Sequence, residues 1–181
     1  MADASSPGMV SRAMASSCNG IVQVPANRWD VHTQPVVPEP MASRVRHAGF
    51  LRSVEHADNA AFHISPAEAA AMDPCQRLLL EYGYESMHRT FLRRTELSGS
   101  LTGIFLGFAP TEFATVLASS PAGSSVYVAT GATSSIACGR LSYVLGLHGP
   151  CVAYDTACSA ALVASHAALR AIQLAECFFG L

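Results

Sequence analysis

The chain has 181 residues and a hydrophobic content of 50%, which is enough for one domain with a substantial core. Charged residues make up only 13%, so we expect much of the surface to be covered by further polypeptide or by a partner. The net charge of -2 provides no basic surface for nucleic acid, and no apolar run approaches the ~18 residues of a membrane span.

The absence of lysine limits the possible chemistry, and the cysteines indicate the cellular compartment. All 11 basic residues are arginine, which excludes Schiff-base and P-loop chemistry because both need a lysine amine. The six cysteines form no CxxC pair, and their apolar or helical surroundings differ from those of secreted disulfide frameworks. The composition therefore predicts an intracellular protein, either cytoplasmic or plastid. A plastid location would need a transit peptide, and the only support for one is the serine-rich, acid-poor start.

The first fifty residues give few structural signals. Residues 1–20 are rich in Ser, Ala, Gly and Met without periodicity, which predicts a disordered or irregular N-terminal segment. Residues 21–50 are proline-rich and predict an irregular segment on the surface of a core. We expect the folded domain to comprise residues 21–181.

Two capped helices follow in tandem. Ser65 can cap the first helix, with Pro66 in its first turn and Glu68 closing a capping box. Asp73 and Gln76 repeat the same arrangement at the start of the second helix. The spacing of one helical face predicts that the second helix buries Cys75, Leu78, Leu79 and Tyr82.

Strands and helices then alternate to the end of the chain. The predicted elements are a buried strand at 103–107, a helix at 111–117, a helix at 134–145, a strand at 151–154, a helix at 159–176 and the start of a strand at 177–181. Gly146 occupies the position of a left-handed C-cap. The alternation predicts an α/β protein with a largely parallel sheet covered by helices. Because the last strand stops almost where it begins, we expect the sequence to be incomplete.

Cys158 stands out because it lies between a predicted strand and a long helix. A thiol at a helix N-terminus is near unpaired N–H groups and the positive end of the dipole, which favour a thiolate and can stabilise an oxyanion. Position alone leaves two alternatives, a nucleophile and a buried core cysteine. The nucleophile-elbow pattern is not matched around Cys158, because Thr156 and Ala160 stand where that pattern has glycines. A nucleophilic Ser159 has still less support, because no motif indicates it.

Four ordered segments of the chain resemble β-ketoacyl synthases, particularly those of modular polyketide synthases. Residues 155–159, DTACS, are similar to the DTACSS signature around the active-site cysteine of that family. Residues 130–150 resemble its TG…S…GR-SY-LGL-GP block, and residues 65–87 resemble its ISPREA-MDPQQRLLLE segment. VPANRWD at residues 24–30 also corresponds. The likeness covers about residues 21–181.

The resemblance implies an incomplete thiolase-like fold, roughly the first of its two βαβ-type halves. It also implies a fatty-acid or polyketide condensation in which Cys158 takes an acyl group from an acyl carrier protein or acyl-CoA. A malonyl-type extender then decarboxylates and attacks the acyl-cysteine. Asp155, Thr156, Ala157 and Ser159 would support the nucleophile turn. No metal or redox cofactor is implied, since the phosphopantetheine thioester belongs to the partner carrier.

The chain lacks a match to the catalytic histidines and lysine of the family. In relatives these residues lie well after the active-site cysteine. Lysine is absent, and His166 matches a helix histidine of the family that is not catalytic. We therefore expect the isolated chain to be inactive in condensation. The alternative is a non-catalytic module that forms a homodimer or associates with a full-length synthase, through residues 151–155. A thiolase or chalcone-synthase relative would share the nucleophile, but the blocks at 65–87 and 130–150 favour the ketoacyl synthases.

Overall fold

The computed structural model describes residues 15–30, 33, 38–51, 54, 56–90, 92–109 and 111–181, which form two compact units, residues 1–53 and 54–181. Most of the predicted irregular segment 1–20 falls on residues 1–14, outside the described part. None of the described helices combines the length and the hydropathy needed to cross a membrane.

The first unit contains little regular structure. Strand β1 (Val22–Gln23) pairs antiparallel with β2 (His47–Ala48), and helix α1 (Met41–Val45) directly precedes β2. The rings of Trp29 and Phe50 meet edge to face, with their centroids 5.9 Å apart. These short elements agree with the irregular segment that the prolines of residues 21–50 predict.

The second unit carries the candidate site. Its helices are α2 (Pro66–Ala71), α3 (Pro74–Arg89), α4 (Arg94–Leu97), α5 (Phe113–Ala118), α6 (Val128–Gly131), α7 (Ser134–Leu145) and α8 (Ala160–Gln173). Its strands are β3 (Thr102–Gly107), β4 (Cys151–Tyr154) and β5 (Phe179–Gly180). Short 3-10 turns lie at Ala60–Phe62, Pro121–Ser124 and Ala157–Ser159.

The three strands form a parallel sheet in the order β4-β3-β5, with helices on both faces. Ile104 and Leu106 of the central strand pack into a cluster that includes residues of α3 and α7. Phe105, between them, points to the opposite face and packs against α8. The predicted covered parallel sheet is confirmed, and β4 forms one of its edges.

The helix caps follow the sequence signals closely. Ser65 Oγ accepts the N–H of Glu68 at 3.2 Å, and Asp73 Oδ1 accepts the N–H of Cys75 at 2.7 Å. Gly146 ends α7 with a φ of 67°, as predicted for a left-handed cap.

The predicted buried face of α3 is wrong in part, although Leu78 and Leu79 are half-buried. Cys75 and Tyr82 are exposed, and the residues that α3 buries are Gln76, Leu80 and Met87. Gln76 can be buried because its amide nitrogen donates to two backbone carbonyls, Thr130 O at 3.2 Å and Thr133 O at 3.3 Å. Both carbonyls are more than fifty residues away, so periodicity could not indicate them.

Candidate active site

Cys158 lies in the 3-10 turn Ala157–Ser159, which joins the end of β4 to the start of α8. The residue is exposed, in contrast to the buried Cys138 and Cys177. The predicted junction of strand and helix is therefore confirmed, although α8 begins at Ala160, one residue later than predicted. Of the two alternatives for this cysteine, the structure disfavours burial in the core.

The turn holds a strained conformation with several hydrogen bonds. Ala157 has a φ of 51°, a left-handed conformation that costs a residue with a Cβ about 1–2 kcal/mol. Asp155 Oδ1 accepts the N–H of Ala157 at 3.3 Å. Ser159 Oγ donates to Thr156 O at 2.8 Å and contacts Thr156 Oγ1 at 3.0 Å. The four residues predicted to support the turn thus surround Cys158, and their bonds can hold it in one conformation.

Gly107 allows the start of α8, directly after the turn, to lie against the end of β3. A Cβ on this glycine would lie 2.5 Å from Ala161 N and 2.6 Å from Ala160 C, so only glycine fits without movement of the backbone. The N–H of Phe108 donates to Tyr154 O at 3.0 Å and joins the ends of β3 and β4. Cys158 therefore lies at the carboxyl edge of the parallel sheet, where α/β proteins bind their ligands.

The backbone N–H groups near Cys158 are not equally available. Ser159 N donates to Thr156 O at 3.2 Å, and Ala160 N donates to Ala157 O. Among the described residues, the N–H of Cys158 itself has no such backbone acceptor. Of these three N–H groups, the one of Cys158 is therefore available to an oxyanion at this turn.

A second polar cluster, which the sequence did not indicate, supports the segment after β3. The Asp73 carboxylate accepts the hydroxyl of Thr111 as well as the N–H of Cys75, and Asp73 N donates to Gly131 O at 2.9 Å. Asp73 is only 1% exposed, so these bonds offset the loss of water around its carboxylate. A capping aspartate followed by proline was a visible signal, but its contact with Thr111 depends on the tertiary fold.

His166 and His148 both lie away from the Cys158 thiol. His166 is exposed on α8, six helical residues beyond Ala160, which corresponds to about 9 Å along the helix axis. A hydrogen bond to sulfur needs a separation nearer ~3–4 Å. His148 lies in the turn before β4, where its N–H donates to Ser100 O at 2.8 Å. His32 falls outside the described residues.

Burial raises the pKa of three other thiols above that of an ordinary cysteine. Burial raises the pKa of Cys151 to about 11, with a further contribution from its contact with the Cys138 thiol. Burial also raises the pKa of Cys75, as does the nearby Asp73 carboxylate, and burial raises the pKa of Cys177. Because a raised pKa reduces the thiolate fraction, these three thiols should react slowly at neutral pH.

Comparisons with known proteins agree with the sequence motifs and extend them. The family model described as the N-terminal domain of beta-ketoacyl synthase matches residues 1–179. The spectinabilin polyketide synthase system protein NorC of Streptomyces orinoci is 39% identical over 178 residues, which are 97% of this chain and 8% of that protein. The polyketide synthase GfsB of Streptomyces halstedii is 42% identical over 176 residues, which are 94% of this chain and 3% of that protein.

Solved structures show the same fold. A ketosynthase from module 6 of the bacillaene synthase of Bacillus subtilis 168 superposes with a TM-score of 0.76 at 29% identity. This match covers 94% of the present chain and 27% of the bacillaene ketosynthase chain. The oxazolomycin ketosynthase domain OzmH KS7 of Streptomyces albus JA3453 superposes with a TM-score of 0.79 at 27% identity. This match covers 97% of the present chain and 32% of the OzmH KS7 chain. The second unit thus has part of a thiolase-like fold. The chain spans less than a tenth of these two curated relatives and less than a third of these solved chains.

Proposed function

The chain belongs to the β-ketoacyl synthase family, and on that premise we propose that Cys158 accepts an acyl group from an acyl carrier protein or coenzyme A thioester. The observation that carries the proposal is the exposed thiol on a strained turn at the carboxyl edge of the sheet. The Cys158 thiolate attacks the thioester carbonyl, the oxyanion meets the N–H of Cys158, and the carrier thiolate leaves. An acyl-Cys158 thioester remains.

The second half of the proposed reaction is a decarboxylative Claisen condensation. A malonyl-type extender, held on the phosphopantetheine arm of the carrier protein, loses carbon dioxide. Its carbanion attacks the acyl-Cys158 carbonyl, so that a β-ketoacyl thioester forms on the carrier and the Cys158 thiolate is released. The polyketide synthases among the relatives favour a polyketide pathway over a fatty-acid one. The thiol chemistry suits a reducing compartment, cytoplasmic or plastid.

A polypeptide of these 181 residues should complete only the first half of the reaction. In the family, two histidines and a lysine promote decarboxylation, whereas this sequence contains no lysine. His166 lies too far along α8 to contact the reacting sulfur. We therefore expect acylation of Cys158 without a β-ketoacyl product. A β-ketoacyl product made by the purified chain from acyl and malonyl thioesters would contradict the expected lack of condensation. It would leave the expected acylation of Cys158 intact.

The acylation step can be tested by competition among the six thiols. The native chain is incubated with a short acyl-CoA, unreacted thiols are alkylated, and peptide mass spectrometry locates the acyl group. We expect acylation at Cys158 at least ~10-fold faster than at Cys151 or Cys75, whose raised pKa values leave less thiolate. Cys158→Ala should abolish this labelling, whereas the matched variant Cys75→Ala, also exposed, should retain it. Equal labelling of all six thiols would overturn the proposal.

A non-catalytic role as a dimerisation module is the second candidate, and the position of β4 favours it. In the described sheet β4 pairs with β3 alone, so its outer edge presents unpaired backbone groups that another strand can bind. Val152 and Cys151 are exposed on this strand. The second copy, or a full-length synthase, would add its strand to this edge.

Solution mass separates the two candidates. Sedimentation should give a dimer for the native chain if β4 is an interface. Cys151→Pro should give a monomer, because the N–H of Cys151 faces the outer edge of β4 and proline cannot donate to a strand ladder. The control is Val116→Lys, which changes an exposed valine on α5, away from β4, and should leave the dimer intact. If both variants lose the dimer, or if the native chain is a monomer, the role as a dimerisation module through β4 is excluded. Acylation of Cys158 is measured separately and does not depend on this result.

A further inference from the structure

Strand β4 presents alternate side chains to two different helices. Ala153 packs against the apolar cluster that contains Cys138 of α7, whereas Tyr154 packs against the cluster that contains Ala164 of α8. Side chains of a strand alternate between the two faces, so Cys151 lies on the same face as Ala153. The first residue of β4 therefore faces α7.

The thiol of Cys151 meets a specific part of that helix. Cys138 and Ser142 are four residues apart and lie on one face of α7. The side chain of Cys138 raises the pKa of Cys151 and the side chain of Ser142 lowers it, so both lie beside the Cys151 thiol. Cys138 Sγ in turn donates to Ser135 O at 3.2 Å, within its own helix. Two independent observations, strand alternation and the contacts of the thiols, thus make Cys138 and Cys151 neighbours across the interface of sheet and helix.

We propose that Cys138 and Cys151 form an intramolecular disulfide under oxidation, which joins β4 to α7. A peroxide supplies the oxidant. The Cys151 sulfur attacks one oxygen of hydrogen peroxide, so that a sulfenic acid forms and one water leaves. The Cys138 sulfur then displaces the second oxygen as water, and the S–S bond forms. Two thiols and one peroxide give one disulfide and two waters, with two electrons passing from the sulfur pair to oxygen.

The exposure of the two residues sets this order. Cys151 is exposed and meets the oxidant, whereas Cys138 is only 3% exposed and is protected until its neighbour has reacted. The raised pKa of Cys151 leaves little thiolate at neutral pH, so the reaction is slow and needs sustained oxidation. The bond would fix the start of β4 and leave the turn Ala157–Ser159 unchanged. Cys158 takes no part in this disulfide, and as an exposed thiol it can itself be oxidised by peroxide.

Peptide mapping of the oxidised native chain tests the proposal. The chain is treated with hydrogen peroxide, blocked with an alkylating reagent and cut with trypsin. Cleavage at Arg94, Arg140 and Arg170 places Cys138 in peptide 95–140 and Cys151 in peptide 141–170. Peptide 141–170 also holds Cys158, so a chymotryptic cut after Tyr154 separates the two cysteines. The same treatment in denaturant reports the pairing of an unfolded chain.

We expect one joined product in native buffer, which links Cys138 to Cys151, loses two hydrogens and disappears on reduction. Cys151→Ser should abolish it, whereas Cys75→Ser, which changes an exposed thiol beside the Asp73 carboxylate, should not. The oxidised chain should also unfold at a higher temperature than the reduced chain. Sulfinic acid at Cys151 without a Cys138–Cys151 disulfide would overturn the proposal. The same mixture of disulfide pairs in native buffer and in denaturant would also overturn it.

Discussion

Replacing Gly107 with alanine is expected to displace the turn that carries Cys158. The added Cβ would lie 2.5 Å from Ala161 N and 2.6 Å from Ala160 C, whereas ordinary contacts begin at 3.4 Å. The start of α8 would have to retreat by about 0.9 Å to restore a normal contact. Because both neighbours are backbone atoms, no change of side-chain rotamer can relieve the overlap.

The expected losses of stability and of acylation rate follow from this displacement. Overpacking of this kind costs about 1–3 kcal/mol of the free energy of unfolding. For a chain of this length each kcal/mol lowers the midpoint of thermal unfolding by about 2–4 °C, so Gly107→Ala should lower it by about 2–12 °C. A displacement of about 1 Å near the reacting atom can also reduce a rate by about 10²-fold. Acylation of Cys158 should therefore slow strongly even well below the midpoint.

Calorimetry and acyl-CoA labelling measure the two effects on the same sample. The matched control is Gly139→Ala in the interior of α7, where an added Cβ meets nothing within 4 Å. This control should retain the acylation rate and gain up to about 1 kcal/mol, because alanine is the better helix former. An unchanged midpoint together with an unchanged acylation rate in Gly107→Ala would refute the packing account of the site.

Two further predictions concern a partly buried ion pair and the thiol of Cys151. Arg140→Ala should lower the free energy of unfolding by about 2–4 kcal/mol in a urea titration, because it strips Glu68 and Gln76 of their guanidinium partner at a site where Arg140 is 10% exposed. Arg89→Ala, which breaks an exposed i,i+4 pair, should cost at most about 0.5 kcal/mol, and equal losses would contradict the difference in burial. Alkylation of Cys151 by iodoacetamide should rise about tenfold per pH unit up to about 11, because its raised pKa keeps the thiol protonated. A plateau near pH ~9 would show that its pKa is not raised.

The burial of α3 shows where sequence periodicity fails. Apolar spacing predicted Cys75 and Tyr82 inside the core, yet both are exposed and Gln76 is buried at 1% exposure. Burial of a glutamine is acceptable only when distant partners satisfy its amide, and here these are carbonyls of the segment before α7 and the guanidinium of Arg140. No local pattern encodes partners that are more than fifty residues away.

The sequence by itself determined the local features of this protein. Ser65 and Asp73 cap their helices and Gly146 ends α7, because these caps depend on hydrogen bonds and backbone angles within a few residues. The order of strand, cysteine and long helix was also visible in the sequence. Only the tertiary structure decided how the start of α8 is placed beside Cys158, since Ala160 and Ala161 pack against Gly107, which is far away in sequence. Contacts between distant segments set that arrangement, and such contacts form only when the whole sheet and its helices pack together.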